Sequence, residues 1–444
     1  MNTSTPSRRR ARGRLARTLA WAALAPAPLA LGACDGSALA PQAPGSAQAG
    51  AGGARVFTQR ALAGAVLGDP IPGLTQSELD AFERGRAVFE RRFTPEDGLG
   101  PVYNAVSCAS CHSTPAVGGS AQLYRNFYLA MFGTAPSQLA FFELPSPVVP
   151  AYGPHALGGA PNFDLEAGRF VIPPDYFGNP VVVAQRNAIP VFGTGLFEFV
   201  SNATILANSD PFDADADGIS GRPNYDFGDL GRFGVKAQSN NVERFTRPPL
   251  RNQMGITTDP FLGSAGTITL SSAAAQGTAD PDLPTTDNDP IPDPELSAGD
   301  LGDLIAFSRF LAPPAKLPFT PQAAQGEALF ASVGCTDCHI PSLPSSRGPV
   351  EAYTDLLLHD MGPALADNLQ FGAPAPGPAS SGSEFRTQPL WGVSLHGPFL
   401  HDGRAETLFD AIDMHAGEAQ ASRDNFLALT PSEQQDVVVF LEHL

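Results

Sequence analysis

The chain has 444 residues, 43% of them hydrophobic, which is enough for about two domains with a sizeable core. Only 16% are charged, and 45 acidic against 27 basic residues give a net charge of −18. This balance argues against nucleic acid as a partner, because phosphate binding needs a basic surface. The 45 glycines and 44 prolines indicate many turns, and five cysteines are too few for a disulfide scaffold.

The first 33 residues have the pattern of a bacterial export signal. Six arginines precede an apolar run over residues 19–33, which is too short to span a bilayer. The run ends in Leu31-Gly32-Ala33-Cys34, which resembles a lipobox, so Cys34 is the predicted lipidated first residue of the mature chain. The alternative is ordinary signal cleavage beside an incidental cysteine. We expect a periplasmic protein, tethered to the membrane by lipid alone through a flexible segment over 34–72.

Helix-start signals recur along the rest of the chain, and the segments between them are rich in turns. Helices are predicted after Thr75, over 299–311, after Thr320 and after Thr430, with capping boxes closed by Glu78 and Glu433. Short strands are predicted over 169–172 and 267–270, and a loop over 280–295. The predicted fold class is mainly α, with long loops and a few short strands.

Two Cys-x-x-Cys-His motifs carry the clearest chemical signal. They are Cys108-Ala109-Ser110-Cys111-His112 and Cys335-Thr336-Asp337-Cys338-His339. Two thiols at this spacing can form thioethers to both vinyl groups of one haem, and the adjacent histidine can reach the iron. A four-cysteine zinc site would not need a histidine after both pairs, and a redox dithiol would need a βαβ context. The motifs therefore predict two covalent c-type haems, with His112 and His339 as proximal ligands.

The two motifs also belong to a weak internal duplication. Each follows a predicted helix that carries Gly-x-x-x-Phe, at Gly85 and Phe89 in one copy and at Gly326 and Phe330 in the other.

Between the motifs, one acidic segment has the pattern of a calcium loop. In Asp213-Ala214-Asp215-Ala216-Asp217-Gly218-Ile219, three alternate carboxylates and the carbonyl of Ile219 are the expected ligands, and Gly218 permits the sharp turn. Asn224 stands where a bidentate Glu is usual, which weakens the site or moves the last ligand to Asp226. The alternative is a solvated acidic turn.

Several segments resemble the di-haem oxidoreductases, peroxidase-like proteins sometimes called thiol oxidoreductases and related to bacterial di-haem cytochrome c peroxidases. The segments are 98–104, 232–238, 254–257, 356–362, 399–404 and 414–419. The resemblance covers most of residues 73–444. It implies two cytochrome-c-like haem domains, which we place at 73–315 and 316–444. It also implies electron entry at the C-terminal haem and peroxide or oxygen chemistry at the N-terminal haem.

The same resemblance nominates further residues at the C-terminal haem. His415 lies fourteen residues after His401 of a His-Asp-Gly turn, and it is the expected sixth ligand of the C-terminal iron. Met361 and Met414 are its rivals.

At the N-terminal haem, no histidine follows His112 until His155, so this iron is expected to have an open or water-filled position. Glu198, six residues after a segment at 186–192 that resembles the distal side of the peroxidases, is the candidate acid–base group.

These patterns together predict a periplasm-facing di-haem peroxidase-like oxidoreductase. Its expected partners are hydrogen peroxide or another small oxidant, and a small redox donor such as a cytochrome or cupredoxin. The acidic composition favours a basic or neutral donor. The alternatives are an electron-transfer cytochrome without turnover and a haem redox sensor. Two cysteine pairs and Cys34 account for all five cysteines, which leaves no thiol for chemistry of its own.

Overall fold

The computed structural model describes residues 66–135, 137–139, 147–152, 163–164, 169–170, 172, 174–258, 290–377 and 382–444. The predicted export signal, Cys34, His155 and the strand predicted over 267–270 lie outside these ranges. Within them, no helix is both long enough and apolar enough to cross a bilayer.

The described chain is mainly helical, with short strands. The helices are α1 (Gln76–Glu90), α2 (Asn202–Leu206), α3 (Val242–Met254), α4 (Ala298–Phe310), α5 (Pro321–Ser332), α6 (Leu408–Asp413), α7 (Gln420–Leu427) and α8 (Pro431–Leu441). The strands are β1 (Phe127–Phe132), β2 (Val148–Val149), β3 (Phe163–Asp164), β4 (Arg169–Phe170), β5 (Asp175–Tyr176), β6 (Asn179–Arg186), β7 (Tyr225–Asp226), β8 (Asp229–Leu230), β9 (Leu358–Asp360) and β10 (Glu384–Arg386).

Both predicted capping boxes are present. At α1 the backbone N–H of Glu78 donates to Thr75 Oγ1 at 3.3 Å, and the Thr75 N–H donates to the Glu78 carboxylate at 2.7 Å. Thr430 and Glu433 make the same reciprocal pair at α8. These bonds satisfy backbone donors that a helix start otherwise leaves unpaired, so the sequence signal and the structure have one physical cause.

Helix α3 was not predicted, because Pro248 and Pro249 lie inside it and each lacks a backbone N–H donor. The helix begins at the side chain of Asn241, whose Oδ1 accepts from Arg244 N at 2.7 Å, and it ends at Gly255 with φ of 77°. Gly255 also lies against the backbone carbonyl of Gly100 so closely that a Cβ would come within 2.1 Å of that oxygen.

A four-stranded antiparallel sheet in the order β2-β1-β6-β5 was also missed. Its longest pairing joins β1 to β6, from Phe127 opposite Arg186 to Phe132 opposite Val181. Of the strand predicted over 169–172, Arg169–Phe170 is present as β4 and pairs with β3.

The internal duplication is visible as two matching helix crossings. Helix α1 crosses α4 at Gly85, where a Cβ would lie 1.9 Å from the carbonyl oxygen of Asp303. Helix α5 crosses α8 at Gly326, where a Cβ would lie 1.9 Å from the carbonyl oxygen of Asp436. Glycine is therefore required at both positions for the backbones to approach.

The aromatic rings beside each crossing repeat as well. One ring of each unit packs on the partner helix and faces the histidine of the following motif. The centroid distances are 4.9 Å for Phe89–Phe307 and 6.1 Å for Phe89–His112, against 5.3 Å for Phe330–Phe440 and 6.3 Å for Phe330–His339.

The larger hydrophobic cluster joins α1, α3 and α4 to residues from the C-terminal part of the chain, among them Leu356, Leu357 and Trp391. A smaller cluster surrounds Phe330 and Phe440. The larger cluster is therefore continuous across the midpoint of the chain, and Cys108 and Cys111 pack against it, whereas Cys335 packs against the smaller cluster.

Candidate functional site

The first Cys-x-x-Cys-His motif lies on the wall of a cavity of about 610 Å³, which we call the N-terminal cavity. Cys108, Cys111 and His112 all line it. The His112 Nδ1–H donates to the carbonyl oxygen of Gly119 at 3.0 Å, which leaves Nε2 as the lone-pair nitrogen. Burial lowers the pKa of His112, so the imidazole is neutral at pH 7 and suited to bind a metal.

The second motif lines a separate cavity of about 260 Å³, the C-terminal cavity. Cys335, Cys338 and His339 lie on its wall, and the His339 Nδ1–H donates to the carbonyl oxygen of Tyr353 at 2.9 Å. Burial lowers the pKa of His339 to about 4. The imidazole is therefore oriented and neutral in the same manner as His112.

His415 lines the same cavity as His339. Its Nδ1–H donates to the carbonyl oxygen of Ala411 at 2.6 Å, and burial lowers its pKa. Met361 also lines the cavity, whereas Met414, itself within the described chain, does not. The fixed tautomer favours His415 over Met361 as sixth ligand, and the assignment stays a prediction.

The thiols are buried and unpaired. None of the four cysteines in the described ranges forms a disulfide. Burial raises the pKa of Cys108 and of Cys335 to about 12, so both are protonated thiols in the absence of a bound group. The two pairs lie in different cavities, which excludes the alternative of one four-cysteine zinc site.

Residues from three segments of the chain separate the two cavities, and we call them the partition. Residues 187–190, Val235 and Arg386 line both of them. The Asn187 N–H donates to the carbonyl oxygen of His401 at 2.9 Å. The sequence indicates residues 187–190 only as part of the distal side of one haem, because nothing in their pattern reveals a second cavity on the other side.

An aromatic stack also spans the two sites. Phe197 lines the N-terminal cavity and Trp391 lines the C-terminal cavity. Their rings stack with centroids 5.5 Å apart and planes 10° from parallel.

His359, at the wall of the C-terminal cavity, has two carboxylate partners that the sequence did not indicate. Its Nε2 lies 2.7 Å from Asp355 Oδ2, and its Nδ1 lies 2.8 Å from Glu418 Oε2 and 3.6 Å from the sulfur of Cys338. Glu418 in turn accepts hydrogen bonds from the backbone N–H and hydroxyl of Ser220, the residue after the acidic loop.

The carboxylate of Glu198 is occupied by structural contacts. It accepts from Arg309 Nε at 2.6 Å and from the first backbone N–H of α3, that of Val242, at 2.8 Å. Although Glu198 lies in the described chain, it does not line either cavity. Its assignment as acid–base group stays a prediction, and these contacts favour a role in holding α3.

The acidic loop brings its three carboxylates together. One oxygen from each of Asp213, Asp215 and Asp217 lies within 4.8 Å of the others. Ile219 at the end of the loop lines the C-terminal cavity, so the loop lies near the second motif, and burial and the charge of Asp217 raise the pKa of Asp337.

The residue at position twelve of this loop and the alternative last ligand both make other contacts. The Asn224 side chain is buried and bonded to the carbonyl oxygens of Lys236 and Phe371, and Asp226 is paired with Arg244 at 3.1 Å. These contacts disfavour Asp226 as the last ligand and favour the alternative of a weakened site, and the calcium assignment stays a prediction.

The residues of both cavities fit covalently attached haem. Each cavity offers two thiols, a neutral imidazole whose Nδ1 is bonded to a carbonyl oxygen, and a mostly apolar wall. The Arg386 side chain is buried between them, and its Nη1 has no hydrogen-bond partner in the described structure. A group with carboxylate substituents would accept a hydrogen bond from this buried cation.

Comparisons with solved structures find distant similarity across most of the chain. A hydrazine synthase of Kuenenia stuttgartiensis is 15% identical with a TM-score of 0.38, covering 91% of this chain and 99% of that chain. The diheme peroxidase BthA of Burkholderia thailandensis is 18% identical with a TM-score of 0.37, covering 88% and 89%. A MauG-like protein associated with microbial copper homeostasis is 16% identical with a TM-score of 0.35, covering 84% and 92%.

Among curated proteins no match to the chain was found. Residues 172–444 match the family described as "Di-haem oxidoreductase, putative peroxidase". This match spans more than half of the sequence and includes the second Cys-x-x-Cys-His motif, the acidic loop and much of both cavity walls. The chain therefore belongs to the di-haem oxidoreductase family.

Proposed function

We propose that this chain is a c-type di-haem peroxidase, built from two cytochrome-c-like domains over residues 73–315 and 316–444. The repeated helix crossings at Gly85 and Gly326 support two such units. The thiols of Cys108 and Cys111 would hold one haem, and those of Cys335 and Cys338 the other. Bound haem iron supplies the one-electron redox chemistry that side chains lack.

The observation that carries the proposal is an asymmetry between the cavities. Five imidazoles line the C-terminal cavity, and two of them, those of His339 and His415, have Nδ1 bonded to a backbone carbonyl oxygen, which orients Nε2 as the nitrogen with the lone pair. In the N-terminal cavity, His112 is the only imidazole among the described lining residues. A site with two axial ligands suits electron transfer, and a site with one leaves room for a substrate.

This asymmetry supports a division of labour between the sites. Electrons enter at the C-terminal site, and hydrogen peroxide or another small oxidant is reduced at the N-terminal site. The donor would be a small cytochrome or cupredoxin, and the net charge of −18 favours one with a basic or neutral surface. Reduction of one peroxide to two waters takes two electrons and two protons, which matches one electron stored at each site.

A second candidate is an electron-transfer cytochrome without turnover. Met254, at the end of α3, is buried and lines the N-terminal cavity. Its thioether could serve as a second axial ligand there. Met254 lies in a segment that carries the family resemblance, but nothing in the sequence marks it as a ligand.

We also propose a lipid anchor and a calcium site for this chain. The signal pattern and Cys34 support a lipid-anchored protein in the periplasm, where covalent haem attachment takes place. The convergent carboxylates of Asp213, Asp215 and Asp217 support a Ca²⁺ site, for which the Ile219 carbonyl is a further candidate ligand. Ser220 and Glu418 connect this loop to His359 at the C-terminal cavity, so the cation would stabilise that wall.

The test uses purified holoprotein with its haem content measured. The reduced protein is mixed anaerobically with one equivalent of hydrogen peroxide per chain, and carbon monoxide is added to a second sample. We expect oxidation of both haems by the single equivalent and carbon monoxide binding at half of the haem. No carbon monoxide binding together with slow oxidation would overturn the peroxidase proposal in favour of the electron-transfer cytochrome. Carbon monoxide binding without repeated turnover in the presence of an artificial donor would favour a sensor.

A further inference from the structure

Among the described residues, Arg386 is the one charged residue that lines both cavities. It lies at the end of β10, opposite Leu358 of β9, and its backbone N–H donates to the carbonyl oxygen of Val235 at 2.8 Å. Only 3% of Arg386 is exposed to solvent. The backbone therefore fixes the guanidinium inside the partition between the two sites.

The hydrogen bonds of this guanidinium are incomplete. Its Nε donates to the carbonyl oxygen of Gly234 at 2.9 Å, and its Nη2 donates to Gln388 Oε1 at 2.8 Å. Its Nη1 is buried and has no partner within the described residues. A buried donor without an acceptor destabilises the fold, so a missing acceptor is indicated at this atom.

The charge of Arg386 is also uncompensated by close contact. Of the five other buried arginines in the described chain, four form an ion pair with a carboxylate: Arg186 with Asp367, Arg222 with Glu384, Arg244 with Asp226, and Arg247 with Glu243. The fifth, Arg232, donates to neutral oxygens. The two hydrogen bonds of Arg386 also go to neutral oxygens. Burial lowers the pKa of Arg386 to about 10, so the group is still a cation at neutral pH.

We propose that Arg386 donates from Nη1 to a haem propionate at this partition, and that its charge raises the reduction potentials of both haems. The inference rests on the proposed function, because it needs a haem in each cavity. A fixed positive charge in a water-poor interior disfavours the ferric state, which carries one more positive charge than the ferrous state. Since Arg386 borders both cavities, one side chain acts on two potentials.

The test is a spectroelectrochemical titration of holoprotein variants whose haem content has been measured. Arg386→Gln removes the charge, Arg386→Lys keeps it, and Arg84→Gln removes an exposed charge that is paired with Asp303 away from the cavities. For Arg386→Gln we expect both midpoint potentials to fall by about 59 mV, which corresponds to a tenfold change in the ratio of oxidised to reduced haem for a one-electron couple. Arg386→Lys and Arg84→Gln should stay close to the parent protein.

A fall in only one potential, or in neither, overturns the inference. If Arg386→Gln does not retain both haems, the resonance Raman spectrum of Arg386→Lys provides the test instead. Loss of the forked donor should shift a propionate bending band, and an unchanged spectrum contradicts the contact. A parent protein without two haems would remove the proposed function itself. A parent protein that carries two haems but does not turn over peroxide leaves the assignment of Arg386 intact.

Discussion

His359 and Glu418 form an ion pair at the wall of the C-terminal cavity, with 2.8 Å between Nδ1 and Oε2. Burial alone would lower the pKa of His359, but the charge of Asp355 helps to raise it well above its usual range. Burial would raise the pKa of Glu418, but the hydrogen bond and charge of His359 lower it to about 2. The imidazolium is thus held between two carboxylates.

Replacement of Glu418 should therefore destabilise the fold in a pH-dependent way. At pH 7, Glu418→Gln should lower the free energy of unfolding by about 3 kcal/mol, because a buried cation loses one of its carboxylates. The pKa of Glu418 is lower in the folded protein than its value near 4.5 in the unfolded chain, so the ionised carboxylate stabilises the fold above about pH 4.5. This stabilisation is lost as the pH falls from about 4.5 towards 2. Urea unfolding should show a smaller difference in stability between Glu418→Gln and the parent protein at pH 3 than at pH 7. Equal losses at both pH values would contradict this, and Glu442→Gln, at an exposed position, is the control.

The two glycine crossings predict matched effects of alanine. Gly85→Ala and Gly326→Ala should each destabilise the fold by about 1–3 kcal/mol, because the added methyl meets a backbone carbonyl that cannot move freely. Gly302→Ala, in the middle of α4 with open space around it, should instead stabilise by about 0.5–1 kcal/mol. Thermal unfolding of the three variants checks this, and a stable Gly326→Ala protein would refute the close crossing.

Replacement of His415 should change the ligation of the C-terminal iron. In His415→Met we expect a near-infrared band of thioether ligation and a higher midpoint potential, because Met ligation favours ferrous haem. His443→Met is the control, since His443 makes the same Nδ1 bond to a carbonyl four residues back but does not line either cavity within the described structure. A thioether band in the parent protein that disappears in Met361→Leu would assign Met361 instead.

Glu198→Gln separates catalysis from structure. The amide oxygen can still accept from Val242 N, while the ion pair with Arg309 is lost. We expect the free energy of unfolding to fall by at most about 1 kcal/mol and peroxide turnover to be retained. Turnover that drops sharply at unchanged stability would restore Glu198 as the acid–base group.

Removal of calcium should lower the melting temperature of the holoprotein. The carboxylates of Asp213, Asp215 and Asp217 repel one another without a cation, so a chelator should destabilise the parent protein. Asp215→Asn should show a much smaller response to the chelator, and Asp424→Asn, at an exposed site, should respond like the parent. A melting curve that does not change with chelator or added Ca²⁺ would argue for a solvated turn.

Local signals in the sequence predicted the local structure well. Thr75 with Glu78 and Thr430 with Glu433 are three residues apart, so the capping bonds they form can be read from the sequence. The same holds for the repeated Gly-x-x-x-Phe and for the cysteines and histidine of each motif. Each of these features depends on residues within one or two helical turns.

Contacts between distant segments had no such signal. His359 and Glu418 are 59 residues apart, and Asp367 accepts from Arg186 across 181 residues, so neither pairing has a periodicity to read. Residues 187–190 of the partition likewise gave no signal of a second cavity, since the cavity on their other side is built mainly by residues from the C-terminal part of the chain. Helix α3 was missed because propensity counts Pro248 and Pro249 against it.

The partition also limits how the two sites can diverge. Residues 187–190 line both cavities, so a substitution that enlarges one site for a bulkier oxidant also reshapes the surroundings of the other. Selection on the substrate and selection on the electron supply therefore act on the same few side chains. We expect members of the family with altered substrates to change the outer walls of the N-terminal cavity, such as β1 and α3, and to leave this partition intact.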